Sequence, residues 1–432
     1  MERILEIAEK HSDSAEVFNI SNSMHTTESK NYGLTNMEST IQSGYALRIL
    51  KDGYLGTSYT KNLLDPEKLV QDALVSLKGK VDGSFQFPDK HTPKELKTYD
   101  LSIEELKNSD LIIETKELSE YVKKRVDPKG QFNLTTGFGS FQKHIMNTNE
   151  LDVKFKSSFF YNYAGILFPS SYAHVENITF SIGRQLLDRV KLDRSIELYN
   201  KSLKNVTVKS GDIDVIFTPR TIKILLWRVR TGASAKSIYD NISPIKNKIG
   251  EKIFSDNFTY VDDPFAGSPE DSSFDDEGTA KSRFSIIENG VFSGIYNSLD
   301  YAKKLGMKPT GHGYREGNET VAASPIPVLA NQMVLPGDTS IDDMIKNTKR
   351  GVLLLGDLGA HSGNIPNGDF SVGLNPGLYI ENGEVVGRIK DGMIAGNVYD
   401  IMKNIKCIEN ITHQDFSGKF PSLCIGDVKF SV

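Results

Sequence analysis

The sequence predicts an α+β protein, with an N-terminal region of mixed helices and strands followed by a larger, β-rich C-terminal domain. Three observations carry this reading. Most of the helical periodicity falls before residue 204, a strand-like aromatic run occupies Gln131 to Phe180, and strands, turns and glycine dominate from Gly250 onward. At about 100–200 residues per domain, 432 residues make two or three domains. The composition shifts divide them as 1–80, 99–204 and 210–432.

Residues 1–10 read as a short amphipathic helix, and Ala15 to Lys30 as extended. Tyr45, Leu47 and Ile49 alternate, Lys51-Asp52-Gly53 turns, and Tyr54 to Tyr59 returns, which is a strong hairpin signal. Asp65 caps a helix through Leu69, Ala73 and Leu77, with Pro66 in the tolerated first turn. Residues 81–98, with Pro88 and Pro93, read as a linker. Ser102 to Val126 is helical, with capping-box spacing between Ser102 and Glu105. A helix over 183–203 closes the middle segment. Val215, Ile216 and Phe217 make a buried strand that Pro219 ends, and Thr221 to Arg230 is helical. Asn289-Gly290 and Asn382-Gly383 sit between apolar residues and predict type I′ hairpins. A last helix covers Val398 to Ile405.

Charge excludes some functions. With 51 basic and 56 acidic residues the net charge is −5, which does not favour a nucleic-acid backbone. No apolar run approaches the ~20 residues that span a bilayer, and the N-terminus lacks the apolar core of a signal peptide. A cytosolic, reducing location fits the two cysteines, Cys407 and Cys424, which are expected to be buried and structural. The eight histidines are His11, His25, His91, His144, His174, His312, His361 and His413. The nearest two are fourteen positions apart, so no helix presents a pair on one face. This excludes H-E-x-x-H and its close variants.

Three stretches concentrate polar chemistry. Asp262, Asp263, Asp275, Asp276 and Glu277 form the densest acidic cluster. It reads as a solvated, turn-capping loop before it reads as a Ca²⁺ or Mg²⁺ site, because the spaced order of an EF-hand is missing. Gly311-His312-Gly313-Tyr314-Arg315 places a histidine between glycines, either as a turn or as a site loop. The third runs from Gly351 through His361, Ser362, Asp369 and Ser371 to Gly373. It is a glycine loop delivered by a buried strand, and it is neither a P-loop nor a nucleophile elbow. Its Ser, His and Asp match a triad in residue type only. Trp227 and Tyr239 are expected in the core or at an interface.

Taken in order, the motifs Asp262-Asp263-Pro264, Phe274-Asp275-Asp276-Glu277-Gly278, Asn331, Gly368-Asp369-Phe370-Ser371, Ile380-Glu381-Asn382-Gly383-Glu384 and Ala395-Gly396-Asn397 resemble the TldD/PmbA family, also called modulator of DNA gyrase. The resemblance covers essentially the whole chain. It implies an α+β fold around a cleft and a cytosolic two-subunit zinc metallopeptidase. In that family the TldD type carries H-E-x-x-x-H and a distant cysteine. The PmbA (TldE) type lacks them. The helix where the motif belongs reads Thr221-Ile-Lys-Ile-Leu-Leu-Trp-Arg-Val-Arg-Thr here, with no His or Glu. The resemblance is therefore to the PmbA type: no zinc ligand carries over, no cofactor is expected in this chain, and zinc is expected in a TldD-like partner. That partner, or a second copy of the chain, and a peptide substrate are the expected partners. His312, Arg315, His361, Asp369, Ser371 and Asn397 become candidates for lining the shared cleft. The competing readings are an independent metal-dependent hydrolase built on His361 or His312, and a gyrase- or DNA-binding regulator.

Overall fold

The computed structural model describes residues 1–316 and 320–432. The N-terminal half is organised by one large sheet. Its strands are β1 (Ser14–Lys30), β2 (Gly33–Lys51), β3 (Tyr54–Thr60), β4 (Val81–Asp82), β5 (Gln131–Asn147), β6 (Asp152–Leu167) and β7 (His174–Ser181), in the order β4-β3-β2-β1-β5-β6-β7. Segments 1–80 and 99–204 thus share a sheet, joined where β1 pairs antiparallel with β5 from Glu16 opposite Asn147 to Ser29 opposite Leu134. The predicted hairpin closes β2 onto β3, with Asp52 and Gly53 at φ 52° and 78°, as a type I′ turn requires. Helices α1 (Glu2–Ala8) and α2 (Pro66–Ser76) bury Ile4, Leu5, Leu69 and Ala73 against Val17, Leu47 and Ile49. The Asp65 carboxylate caps α2 by accepting from the Lys68 amide at 2.9 Å.

Two predicted helices are shorter than their periodicity suggested. The 102–126 segment breaks into α3 (Ser102–Glu105) and α4 (Asn108–Lys123), because Leu106 turns extended to pack beside Ile103, Leu111, Phe138 and Phe160. Ser102 is not the cap; Asp100 accepts from the Ser102 amide at 2.9 Å, and Asp110 from the Lys107 amide at 2.8 Å. The 183–203 helix starts late, as α5 (Arg189–Lys201), since Asp188 spends its carboxylate capping Val190.

The C-terminal half holds β8 (Asn205–Val206), β9 (Gly211–Phe217), α6 (Ile222–Ala233), α7 (Ala235–Tyr239), β10 (Tyr260–Asp262), β11 (Phe284–Glu288), β12 (Val291–Phe292) and α8 (Leu299–Leu305). It continues through β13 (Gly313–Tyr314), β14 (Ile326–Pro327), β15 (Gln332–Val334), α9 (Ile341–Asn347), β16 (Arg350–Leu354), β17 (Asp357–Leu358) and β18 (Asp369–Leu374). It ends with β19 (Gly377–Glu381), β20 (Glu384–Ile389), β21 (Met393–Asn397), α10 (Val398–Ile401), β22 (Ile405–Ile408), β23 (His413–Asp415), β24 (Gly418–Phe420) and β25 (Leu423–Ser431). A ten-stranded sheet runs β17-β18-β21-β25-β9-β16-β19-β20-β8, with β22 also on β25, and a six-stranded sheet runs β12-β11-β10-β15-β24-β23. Both predicted Asn-Gly hairpins form, with Asn289 and Asn382 each at φ 49°. The last helix tightens into a 3₁₀ turn at Met402–Asn404 and ends as Ile405 enters β22. In the β22–β25 register Cys407 faces Cys424; Cys424 is buried, whereas Cys407 is only partly so.

The two halves are fastened by buried charge. Arg48 on β2 donates through Nε and Nη2 to both Glu16 oxygens, at 2.9 and 2.7 Å, and through Nη1 to Glu277 at 2.8 Å. All three side chains are at most 4% exposed. Phe85 and Phe87, from the predicted linker, flank the guanidinium at 5.6 and 5.2 Å. Burial pulls the Arg48 pKa down, but Glu16 and Glu277 more than reverse it, so the cation is firmly held. Around this network Phe18, Ala46, Ile145 and Phe155 pack against Phe274. Replacing Arg48 with Met leaves buried carboxylates without their counter-ion, and is expected to lower unfolding free energy by about 3–5 kcal/mol. Urea-induced unfolding measures this; a loss below about 1 kcal/mol would show that the fastening lies elsewhere.

Candidate functional site

The acidic cluster is not a solvated loop. Asp262, Asp275, Asp276 and Glu277 are buried, Asp263 partly so, and each is spent on the protein itself. Asp262 accepts from the Asn331 amide at 2.7 Å and lies 3.1 Å from the Lys281 ammonium. Asp275 accepts three backbone amides, those of Gly313, Glu277 and Thr279. Asp276 holds Lys143 at 2.7 Å and the Arg315 amide at 3.0 Å. Asp263 accepts from the Phe265 amide at 3.0 Å. Phe274 packs with Phe18, Ile145 and Phe155 of the N-terminal sheet, and a Cβ on Gly278 would lie 2.4 Å from Leu151, so this segment sits hard against that sheet. Burial pushes the Asp262 carboxyl up, but Lys281, His312 and the Asn331 amide hold it well below the ordinary carboxylate range.

His312 and Arg315 belong to this core; His312 lines no open cleft, and Arg315 reaches only the floor of a separate pocket of about 310 Å³ with Arg48, Ser58 and Val321. His312 has no solvent exposure; its Nδ1 lies 2.9 Å from Thr310 Oγ1 and its Nε2 3.6 Å from Asp262 Oδ1. Burial lowers its pKa by more than Asp262 raises it, so the ring is held neutral. Arg315 is pushed down to about 10 by burial and by neighbouring Arg48. The glycines around His312 have a steric cause. Gly311 sits at φ +73°, and a Cβ on Gly313 would lie 2.0 Å from the Glu277 carboxylate.

The open site lies on α6. Thr218 and Thr221 hydroxyls donate to the Leu354 carbonyl, each at 2.9 Å, and tie the start of the helix to the end of β16. Ile222, Leu225, Leu226 and Val229 are buried in the main core. The opposite stripe, Lys223, Trp227 and Arg230 at i, i+4 and i+7, lines a cleft of about 300 Å³ together with Arg220, Asp357 and Ser417. Lys223 pairs with Asp415 at 2.8 Å. Arg220 pairs with Glu176, which also accepts from the Tyr163 hydroxyl at 2.8 Å. Burial raises the Asp357 carboxyl even though Arg220 and Lys223 oppose it. A second groove of about 350 Å³ begins on the other side of Arg220, lined by Ile178, Leu198, Pro219, Leu353 and Ile411 among others. The edge strands β7 and β23 approach each other beside it.

The glycine loop supports this helix from behind. Arg228, fully buried, donates to the carbonyls of Asp369, Ala360 and Ser362 at 2.8–2.9 Å, and to Ile224 within α6. Asp369 Oδ1 accepts from the Asn397 amide group at 2.8 Å, and Asn397 caps α10 through the Tyr399 amide at 2.9 Å. Ser371 faces Ala395 in the β18–β21 ladder. His361 is exposed on the loop. His361, Asp369, Ser371 and Asn397 therefore gather around one loop, of which Asp357 and Ala360, and none of these four, reach the cleft lining. Trp227 is half-buried in that lining and Tyr239 is 51% exposed, so neither fills the core. The cleft residues Arg220, Lys223, Arg230 and Asp357 escaped the sequence reading; the spacing of polar Lys223 and Arg230 around Trp227 on an apolar helix was the available signal.

A divalent metal does not fit this cleft. Ammonium and guanidinium groups offer no lone pair, and among the described residues Asp357 is the one carboxylate in the lining. Among the described residues, no three His, Cys, Asp or Glu side chains are grouped to hold an ion.

Residues 210–432 match the family described as PmbA/TldA metallopeptidase C-terminal domain. The chain is 25% identical over 408 residues to "Uncharacterized protein MJ0231" of Methanocaldococcus jannaschii, covering 93% of each. It is 29% identical over 228 residues to a protein named "Metalloprotease" from Methanothermobacter thermautotrophicus, spanning 52% of this chain and about half, 49%, of that one. Its fold superposes on the crystal structure of TldE from Thermococcus kodakarensis with a TM-score of 0.93 at 23% identity, covering 100% of both chains.

Two outcomes are expected from these contacts. Arg228→Met should release the loop carbonyls, and hydrogen exchange at residues 359–364 should accelerate at least about tenfold while β16 stays protected; unchanged exchange would remove Arg228 as the anchor. His312 is held neutral in the fold, so the unfolded chain binds the extra proton below its ordinary pKa of about 6.5. Stability should fall as pH drops below that value. The His312→Gln variant should lose up to about 1.4 kcal/mol per pH unit of that slope, read from urea unfolding between pH 5 and 7.5.

Proposed function

The chain belongs to the PmbA/TldD metallopeptidase family, and from that premise we propose that it is the PmbA/TldE-type subunit of a TldD/TldE-type zinc metallopeptidase acting on peptides or partly unfolded proteins in the cytoplasm. One observation carries the reading: the solvent face of α6 presents Lys223, Trp227 and Arg230. The family's metal ligands are expected on this helix, and the residues found there bind anions and apolar groups instead of metal. Zinc, with the water it activates for peptide hydrolysis, is supplied by a TldD-like partner. This chain contributes walls, charge and strand edges that orient an extended substrate.

The remaining features agree. The paired grooves on either side of Arg220, beside edge strands β7 and β23, suit an extended chain whose backbone seeks hydrogen-bond partners. No helix among the described residues is long and apolar enough to cross a membrane. The net charge of −5 opposes the gyrase- or DNA-binding alternative. An independent metal-dependent hydrolase would need His312 or His361, and the first is sealed in the core while the second stands exposed.

Co-expression with a paralogue carrying H-E-x-x-x-H, followed by size-exclusion chromatography, metal analysis and peptide cleavage, tests the proposal. A mixed complex should form with zinc following the paralogue, and cleavage should appear only when both chains are present. Stoichiometric zinc and peptide cleavage in the isolated chain would refute it.

A further inference from the structure

We propose that the α6 cleft is a carboxylate site that takes the C-terminal end of an extended peptide, with the Arg230 guanidinium as anchor and the Trp227 ring as the wall for the last side chain. The proposal rests on the reading of this chain as a peptide-handling subunit and assigns that reading an end and a direction.

Charge accounting singles out Arg230. Of the three cations in the cleft, Lys223 is matched by Asp415 at 2.8 Å and Arg220 by Glu176. The Arg230 guanidinium makes no hydrogen bond or ion pair with any described residue, although the residue is half-buried. Its own backbone carbonyl is anchored by the Tyr296 hydroxyl at 2.9 Å, which fixes where the side chain departs. A guanidinium stripped of part of its water and given no acceptor leaves a strong donor set unused. Its planar fork matches a carboxylate with two parallel hydrogen bonds.

A second group points the same way. Ser417 lines the same cleft, and its Oγ is shielded from solvent without a hydrogen-bond partner among the described residues. A hydroxyl donor in the same lining as an unpaired guanidinium offers a second donor to a carboxylate. Gln332, also in the lining, is already engaged by Tyr260 at 2.6 Å and by the Leu329 carbonyl at 3.3 Å. Volume argues for a chain end: about 300 Å³ is at the small end of ligand pockets. The rest of the peptide has a route out, since Arg220 lines both this cleft and the more apolar groove beside it.

Trp227 is the single tryptophan of the chain, so the site carries its own reporter. The full chain is titrated with an uncharged apolar pentapeptide bearing a free C-terminus, with the same peptide amidated, and with an amidated version holding one internal Glu, while Trp227 emission is followed. The free acid should give a saturable change, and both amides should bind at least about tenfold more weakly. Arg230→Gln should reduce free-acid binding to the level of the amide and leave the amide unchanged, with Arg230→Lys in between; circular dichroism verifies the fold of each variant. Equal binding of acid and amide would overturn the carboxylate site and leave the peptide-subunit reading standing. Tighter binding of the internal-Glu amide would overturn the C-terminal assignment. No saturable change with any peptide would overturn the proposal, and capture of the same peptides by the two-chain complex would show whether the subunit reading falls with it.

Discussion

The position of the N-terminal sheet against the C-terminal half depends on one buried cation. Arg48 reaches from β2 to Glu16 on the neighbouring strand and to Glu277 in the other half of the molecule. A single guanidinium satisfies two carboxylates that would otherwise be stranded in a medium hostile to charge. The surrounding acids follow the same rule: Lys143 answers Asp276, Lys281 answers Asp262, and Arg315 lies 3.5 Å from Glu16. Pure hydrophobic packing would tolerate sliding between the layers. Directional, mutually dependent hydrogen bonds do not, and so the junction has a defined register.

The same economy shapes α6. Its arginines at positions 228 and 230 are two residues apart, so they point to different sides of the helix. The first is consumed in holding the glycine loop in place. The second is left facing the cleft. Local rigidity and local reactivity are thereby separated onto opposite sides of three helical turns, and the loop motif that looks chemical in sequence turns out to be the scaffold for the helix that faces solvent.

Short-range signals were legible in the sequence. Asp52-Gly53, Asn289-Gly290 and Asn382-Gly383 require positive φ, and Asp65 ahead of Pro66 is a cap by composition alone. What sequence could not supply was the partner across a long separation. The acidic cluster reads as solvated because five carboxylates close together in a chain normally need water; here Arg48, Lys143 and Lys281 lie between 19 and 229 positions away from the acids they neutralise. His312 looked like a candidate for chemistry because its burial depends on the same distant contacts. The 102–126 helix failed for a similar reason, since Leu106 is drawn inward by Phe138 and Phe160. The α6 cleft was hidden because its polar face carries no His, Cys, Asp or Glu, only lysine, tryptophan and arginine.

The pairing of β1 with β5 sets the order in which this chain acquires structure during synthesis. The hairpin of β1 and β2 is local, but Glu16 meets its β5 neighbourhood only once residue 147 has emerged, and Arg48 waits for Glu277, 229 positions later. Until then a long strand edge and half of an ion network are exposed on the ribosome, and closing so distant a contact is intrinsically slow. The charged residues at this junction therefore have a second role before the fold exists. Glu16 and Arg48, already opposite each other across the first hairpin, keep one another hydrated or paired while the chain is incomplete, and place a polar pair on an edge that would otherwise invite aggregation.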